Sequence, residues 1–143
     1  MPTEPNRDPQ GNVLPHDHAE ILPEHHVIRH TTPNDLHTEH TGLRRISSGA
    51  YSESSDVHGG MSVDIEEWMA ADGLDPLHYL TDPSHGAVRL SVGELRAAGF
   101  QVGWDQQAGN PHHGSVWGIG NGSTRRKKIA RIAVTVRKAE GED

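Results

Sequence analysis

The stretch AVRLSVGELRAAGFQVGW, residues 87–104, decides what kind of fold this chain builds. Val88, Leu90 and Val92 alternate with Arg89 and Ser91, the period of a strand with one buried face. Ser91 stands three residues before Glu94, the spacing at which a hydroxyl caps a helix start, and Gly99 is suited to end that helix. Alternation then resumes, with Phe100, Val102 and Trp104 on one side. A strand, a helix of a few turns at most and another strand predict short mixed elements around a sheet.

Working outward, the pattern repeats. MSVDI (61–65) alternates Met61, Val63 and Ile65 against Ser62 and Asp64. Asp64 followed by Glu67 resembles a capping box, opening a helix that Gly73 can close. Asp75-Pro76 reads as a second helix start, and LRRISSGAY (43–51) as a strand weakened by its glycine. After Trp104 the polar run DQQAGNP ends in a turn signal and feeds HGSVWGI (113–119), the return strand of a hairpin. His113, Ser115, Trp117 and Ile119 share one face of it; Gly114, Val116 and Gly118 share the other. In the closing segment Ile129, Ile132, Ala133 and Val136 have helical spacing, while Val134-Thr135-Val136 suits a strand. The expected fold class is α+β: a small mixed or mainly antiparallel sheet with two to four short helices.

Composition divides the chain. Only 32% of the 143 residues are hydrophobic, and seven of the twelve histidines lie in the first 40 positions together with most of the prolines. Residues 1–41 therefore read as a flexible His/Pro-rich arm preceding the α+β domain at 42–138, with an acidic tail at 139–143. One of the apolar islands in the arm, Ile21-Leu22 or Val27-Ile28, can add an edge strand or pack onto a neighbour. There is no cysteine, so disulfides, thiolate metal sites and a cysteine nucleophile are excluded. No apolar run approaches a membrane span, and MPTEPNRDPQ lacks the features of a secretory signal; a cytoplasmic location is the expectation. Net charge is −11 over residues 1–88 and +4 over 89–143, which argues against a general polyanion binder while leaving room for a local basic patch.

The order of short motifs carries a resemblance. Arg44, Arg45, Ser47, Ser48, Tyr51, then Ser62-Val63-Asp64, then Arg96, then Asn110, Pro111 and His113 is similar to a family of small stand-alone bacterial proteins with RRI/SS-x-aromatic, SVD and NPxH motifs. It covers residues 42–137 and departs at Tyr51, where the pattern has Phe, and at Gly118-Ile119, where it has Gly-Lys. The resemblance brings no assigned activity with it.

Three sets of residues can carry chemistry. If the apolar set faces the core, Ser62, Asp64 and Arg89 emerge on the opposite face, where Arg44 or Arg45 and His113 can join them. Arg44, Arg45, Ser48, Asp64, Arg89, Asn110 and His113 form a candidate ligand site, with Arg45, Asp64 and His113 the catalytic candidates. A guanidinium fork there would hold a phosphate or carboxylate, beside a histidine oriented by an aspartate. Arg125, Arg126, Lys127, Lys128 and Arg131 form a basic segment able to contact nucleic-acid phosphates. His16-x-His18, His25-His26 and His112-His113 offer imidazoles, yet none has the spacing of a metal site, and neither metal nor cofactor is expected. The functional expectation is an accessory domain of a bacterial multi-component system that binds a protein partner. The alternative is an enzyme or sensor acting on a phosphorylated or nucleotide-like ligand, or on nucleic acid, through the Arg/Asp/His set.

Overall fold

A computed structural model describes residues 2–143. The elements run β1 (His26–Thr31), β2 (Leu36–Thr38), β3 (Arg44–Ile46), β4 (Met61–Ile65), α1 (Glu66–Ala71), β5 (Gly86–Ser91), α2 (Val92–Ala97), β6 (Gln101–Trp104), β7 (His113–Trp117), α3 (Ser123–Ile132) and β8 (Val134–Arg137). Six strands form one sheet in the order β6-β7-β4-β1-β5-β8, every neighbouring pair antiparallel, and β2 and β3 form a separate hairpin. The fold is α+β.

Alternation sorts the sheet into two faces. Val27, Val63, Ile65, Val88, Leu90, Val102 and Val116 fall on one side and join Leu95, Phe100, Ile119, Ile129 and Tyr51 in a continuous buried cluster. His26, Ile28, His30, Ser62, Asp64, Arg89, His113 and Ser115 occupy the other side by the same register. The helices start and stop on local chemistry. Ser91 caps α2 by accepting from the Glu94 N–H. Gly99, at φ +96°, lets the Gly99 and Phe100 N–H groups bond back to the Arg96 and Leu95 carbonyls.

Four expectations need correction. First, the segment read as a flexible arm holds β1, which lies in the middle of the sheet between β4 and β5. Its signature is Val27-Ile28, both fully buried: a strand covered on both faces carries consecutive apolar residues, and the flanking histidines mask them in any hydropathy average. Ile21 is also buried in the core, and the tail is fastened, with the Arg44 N–H donating to Asp143 Oδ2 and the Asp143 N–H to the Arg44 carbonyl. Second, Asp64 caps nothing; α1 begins after Ile65 with no side-chain cap. Third, Asp75-Pro76 opens a turn rather than a helix, with Asp75 accepting from the Leu77 and His78 N–H groups. Fourth, 43–51 splits into β3 and a 3-10 turn at Ser48–Tyr51.

The sheet's two edges differ. Residues 16–18 run along the outside of β6: the Val102 N–H donates to Asp17 Oδ1 (2.9 Å), the His18 N–H to the Val102 carbonyl (3.0 Å), and the Trp104 N–H to His16 Nε2 (3.3 Å). Arg96 locks this cover in place. It pairs with Asp17 at 3.0 Å and donates to the carbonyls of His18, Ile21 and Val102. Along the outer side of β8, by contrast, no hydrogen bond reaches Val134–Val136 among the described residues.

Candidate functional site

The polar face of the sheet carries a recess of about 260 Å3, lined by Ile28, His30, Ser62, Asp64, His113, Tyr79, Gln107 and Asn110, with Arg29 and Val63 beneath. Its floor is built by cross-strand register. Asp64 on β4 sits directly opposite His113 on β7 and Ile28 on β1. The Asn110 side chain donates to Asp64 Oδ1 at 2.8 Å and accepts the His112 N–H at 3.0 Å, so the Asn-Pro-His-His turn and the aspartate fix one another.

The paired histidines have different jobs. His112 is saturated, with Nε2 2.6 Å from Asp72 Oδ2 and Nδ1 2.7 Å from the Tyr79 hydroxyl. His113 is 6% exposed, and its Nδ1 lies 2.6 Å from the Asp105 carbonyl. A carbonyl only accepts, so the proton is on Nδ1, and in the neutral ring Nε2 is a bare acceptor. That nitrogen is buried without a partner among the described residues. His30 Nε2 stands 3.2 Å from Asp64 Oδ2 but off the line a hydrogen bond needs, so it too is buried and unbonded. Asp64 itself is 5% exposed and has no Arg or Lys partner. Burial raises the Tyr79 hydroxyl above its ordinary value, helped by the charges of Asp64 and Asp72, and keeps it protonated as a donor.

The expected site residues divide. Asp64, Asn110 and His113 come together. Arg89 shares the face but lies across β1, where its guanidinium is held by both oxygens of Glu66 at 2.7 and 2.6 Å. Arg44 and Arg45 are on the separate hairpin, Arg45 beside Glu39 at 3.6 Å, and Ser48 is in the 3-10 turn; none lines the recess. The proposed grouping of guanidinium with Asp64 is thus corrected: strand register sends those arginines elsewhere. The one guanidinium at the recess is Arg29, and its Nε, Nη1 and Nη2 donate to the carbonyls of Ala50 and Ser62. Burial holds its pKa below the usual arginine value. His30, Tyr79, Gln107 and Arg29 were not expected here. The signal for His30 was the alternation His26-Ile28-His30, hidden inside a segment that reads as disordered.

On α3, Arg125 stacks over Phe100 at 5.0 Å and donates to the Gly99 carbonyl, while Arg126 donates to the Asn121 carbonyl. Lys127, Lys128 and Arg131 remain exposed. Among the described residues, one set of three potential metal ligands, His26, Glu66 and Glu67, has its donor atoms within 4.8 Å of one another. That set is spent internally: His26 bonds Glu67 through Nδ1 and its N–H, and Arg89 neutralises Glu66. His30, Asp64 and His113 do not form such a set among the described residues. No helix among the described residues is long and apolar enough to cross a membrane. No protein-family model, curated protein or solved structure matches the chain.

Proposed function

We propose that this chain is a partner-binding domain and that the Asp64–His113 recess receives a neutral hydroxyl or carboxamide side chain of a protein partner. The observation that carries the reading is the buried, unbonded His113 Nε2 beside a carboxylate with spare lone pairs. Each such acceptor left unsatisfied costs about 1–3 kcal/mol, which a donor-bearing group would recover. The surroundings set the charge of the occupant. Asp64 stands there without an Arg or Lys partner, which disfavours an anion and favours a group that donates hydrogen bonds. Size points the same way, because about 260 Å3 is below the roughly 300–1,000 Å3 of ordinary small-molecule sites and fits a side chain.

The alternative, a phosphorylated or nucleotide-like ligand, requires a fork of free guanidinium donors. Arg29 spends its donors on backbone carbonyls, Arg89 is committed to Glu66, and Arg44 and Arg45 do not line the recess. The reading is tested by titrating 15N-labelled protein with N-acetyl-glutamine methylamide, n-butylammonium and inorganic phosphate, following the imidazole 15N resonance of His113. The carboxamide is expected to move it, and Asp64→Asn to abolish the response. A shift with phosphate alone, or with none of the three, overturns the proposal.

A further inference from the structure

We infer that the outer edge of β8, together with the basic face of α3, is a docking surface for an extended acidic segment of another protein, which adds to the sheet as a seventh strand. The first observation is the contrast between edges. The chain covers β6 with residues 16–18 but leaves Val134, Thr135 and Val136 without an outward hydrogen bond among the described residues, and Val134 is 61% exposed. An open row of backbone donors and acceptors is the surface on which strand addition occurs.

The second observation is charge. Lys127, Lys128 and Arg131 on α3 and Lys138 after β8 are exposed, and none pairs with a carboxylate among the described residues. Arg137 is held by the carbonyls of Asp82 and His85, which anchors the strand instead of neutralising it. Lys138 follows the edge strand directly, and the other three lie on the helix that leads into it. They repel the same edge of a second copy, the usual protection of an exposed strand, and they attract a strand carrying Asp or Glu. A four-residue edge whose pairing with β5 shifts register at Val136 offers few backbone bonds, so the charges set partner choice. The surface lies at the opposite end of the sheet from β6 and is independent of the recess.

The test uses three fluorescein-labelled peptides: one alternating Val and Glu, one with Lys in place of Glu, and the acidic one N-methylated at every second residue. Anisotropy is expected to show binding of the first, none of the second at the same concentration, and at least a roughly tenfold loss for the third, because N-methylation removes the strand donors while keeping the charge. Reversal of the exposed cations, Lys127→Glu with Lys128→Glu and Arg131→Glu, is expected to weaken the acidic peptide by roughly tenfold without altering the fold. Equal binding of the methylated peptide, indifference to charge reversal, or displacement by a single-stranded oligonucleotide that binds more tightly would each overturn the inference.

Discussion

Replacing Arg96 with Ala removes the tie between α2, the β6 edge and the N-terminal segment at one atom cluster. Arg96 makes four contacts: Asp17 at 3.0 Å, and the carbonyls of Ile21 at 2.8 Å, His18 at 3.1 Å and Val102 at 3.1 Å. The Asp17 carboxylate is about half exposed, so that ion pair contributes at most ~1 kcal/mol. Three carbonyl bonds to a charged donor contribute about 1 kcal/mol each, less for Val102, whose oxygen keeps the His18 N–H. The sum is a loss of roughly 2–4 kcal/mol, measured by urea unfolding. Arg96→Lys keeps the charge and a compact set of three donors but not the planar fork that spans these acceptors, and is expected to lose about half as much. Amide hydrogen exchange adds the local signature: Val102 and Trp104, whose N–H groups rest on Asp17 and His16, should lose protection ahead of the sheet's centre. A loss below about 1 kcal/mol with unchanged exchange at those amides would refute the idea that Arg96 fastens the cover.

Other outcomes follow from single sites. Burial, with Glu142 and Asp35 adding negative charge, pushes Tyr51 up to about 12, so its neutral form is favoured in the fold; stability should be intact below pH 10.0 and fall as pH rises toward 12, an absorbance step that Tyr51→Phe removes. Gly86→Ala would set a Cβ 2.5 Å from the Ala139 nitrogen and the Arg137 carbonyl oxygen, a backbone clash expected to cost about 1–3 kcal/mol in denaturant unfolding. Removing residues 2–19 bares β6 and should convert a monodisperse species into self-associating material by sedimentation, an effect absent if the cover is dispensable. At the acid end, hydrogen bonds from Thr3 lower Glu20 and those from Ser84 lower Asp82, so both contribute above the ordinary carboxylate range and lose that contribution as pH falls below it toward their lowered values, visible as a falling Tm.

Much of the sheet was legible because alternation is a short-range signal. β4, β5, β6 and β7 stand where Met61-Val63-Ile65, Val88-Leu90, Val102-Trp104 and His113-Trp117 put them, and the Ser91 cap and Gly99 stop bound α2 as expected. What failed depended on long-range pairing. Nothing local in HVIRHT says that it inserts between strands that lie further along the chain, and two buried apolar residues among histidines look like a solvated island. At the site, β4 against β7 was enough to join Asp64 to His113. The arginines were misplaced because β3 pairs only with β2 in a separate hairpin and because β1 comes between Arg89 and Asp64, leaving Arg89 to Glu66; neither pairing is revealed by spacing along the chain.

The middle position of β1 has a consequence for how the molecule comes into being. A ribosome releases this strand before both of its neighbours, which emerge only with residues 61–65 and 86–91. Until then its apolar pair has no pairing surface, so the nascent chain is expected to fold late and all at once, favouring slow, cooperative closure over stepwise growth from the amino end.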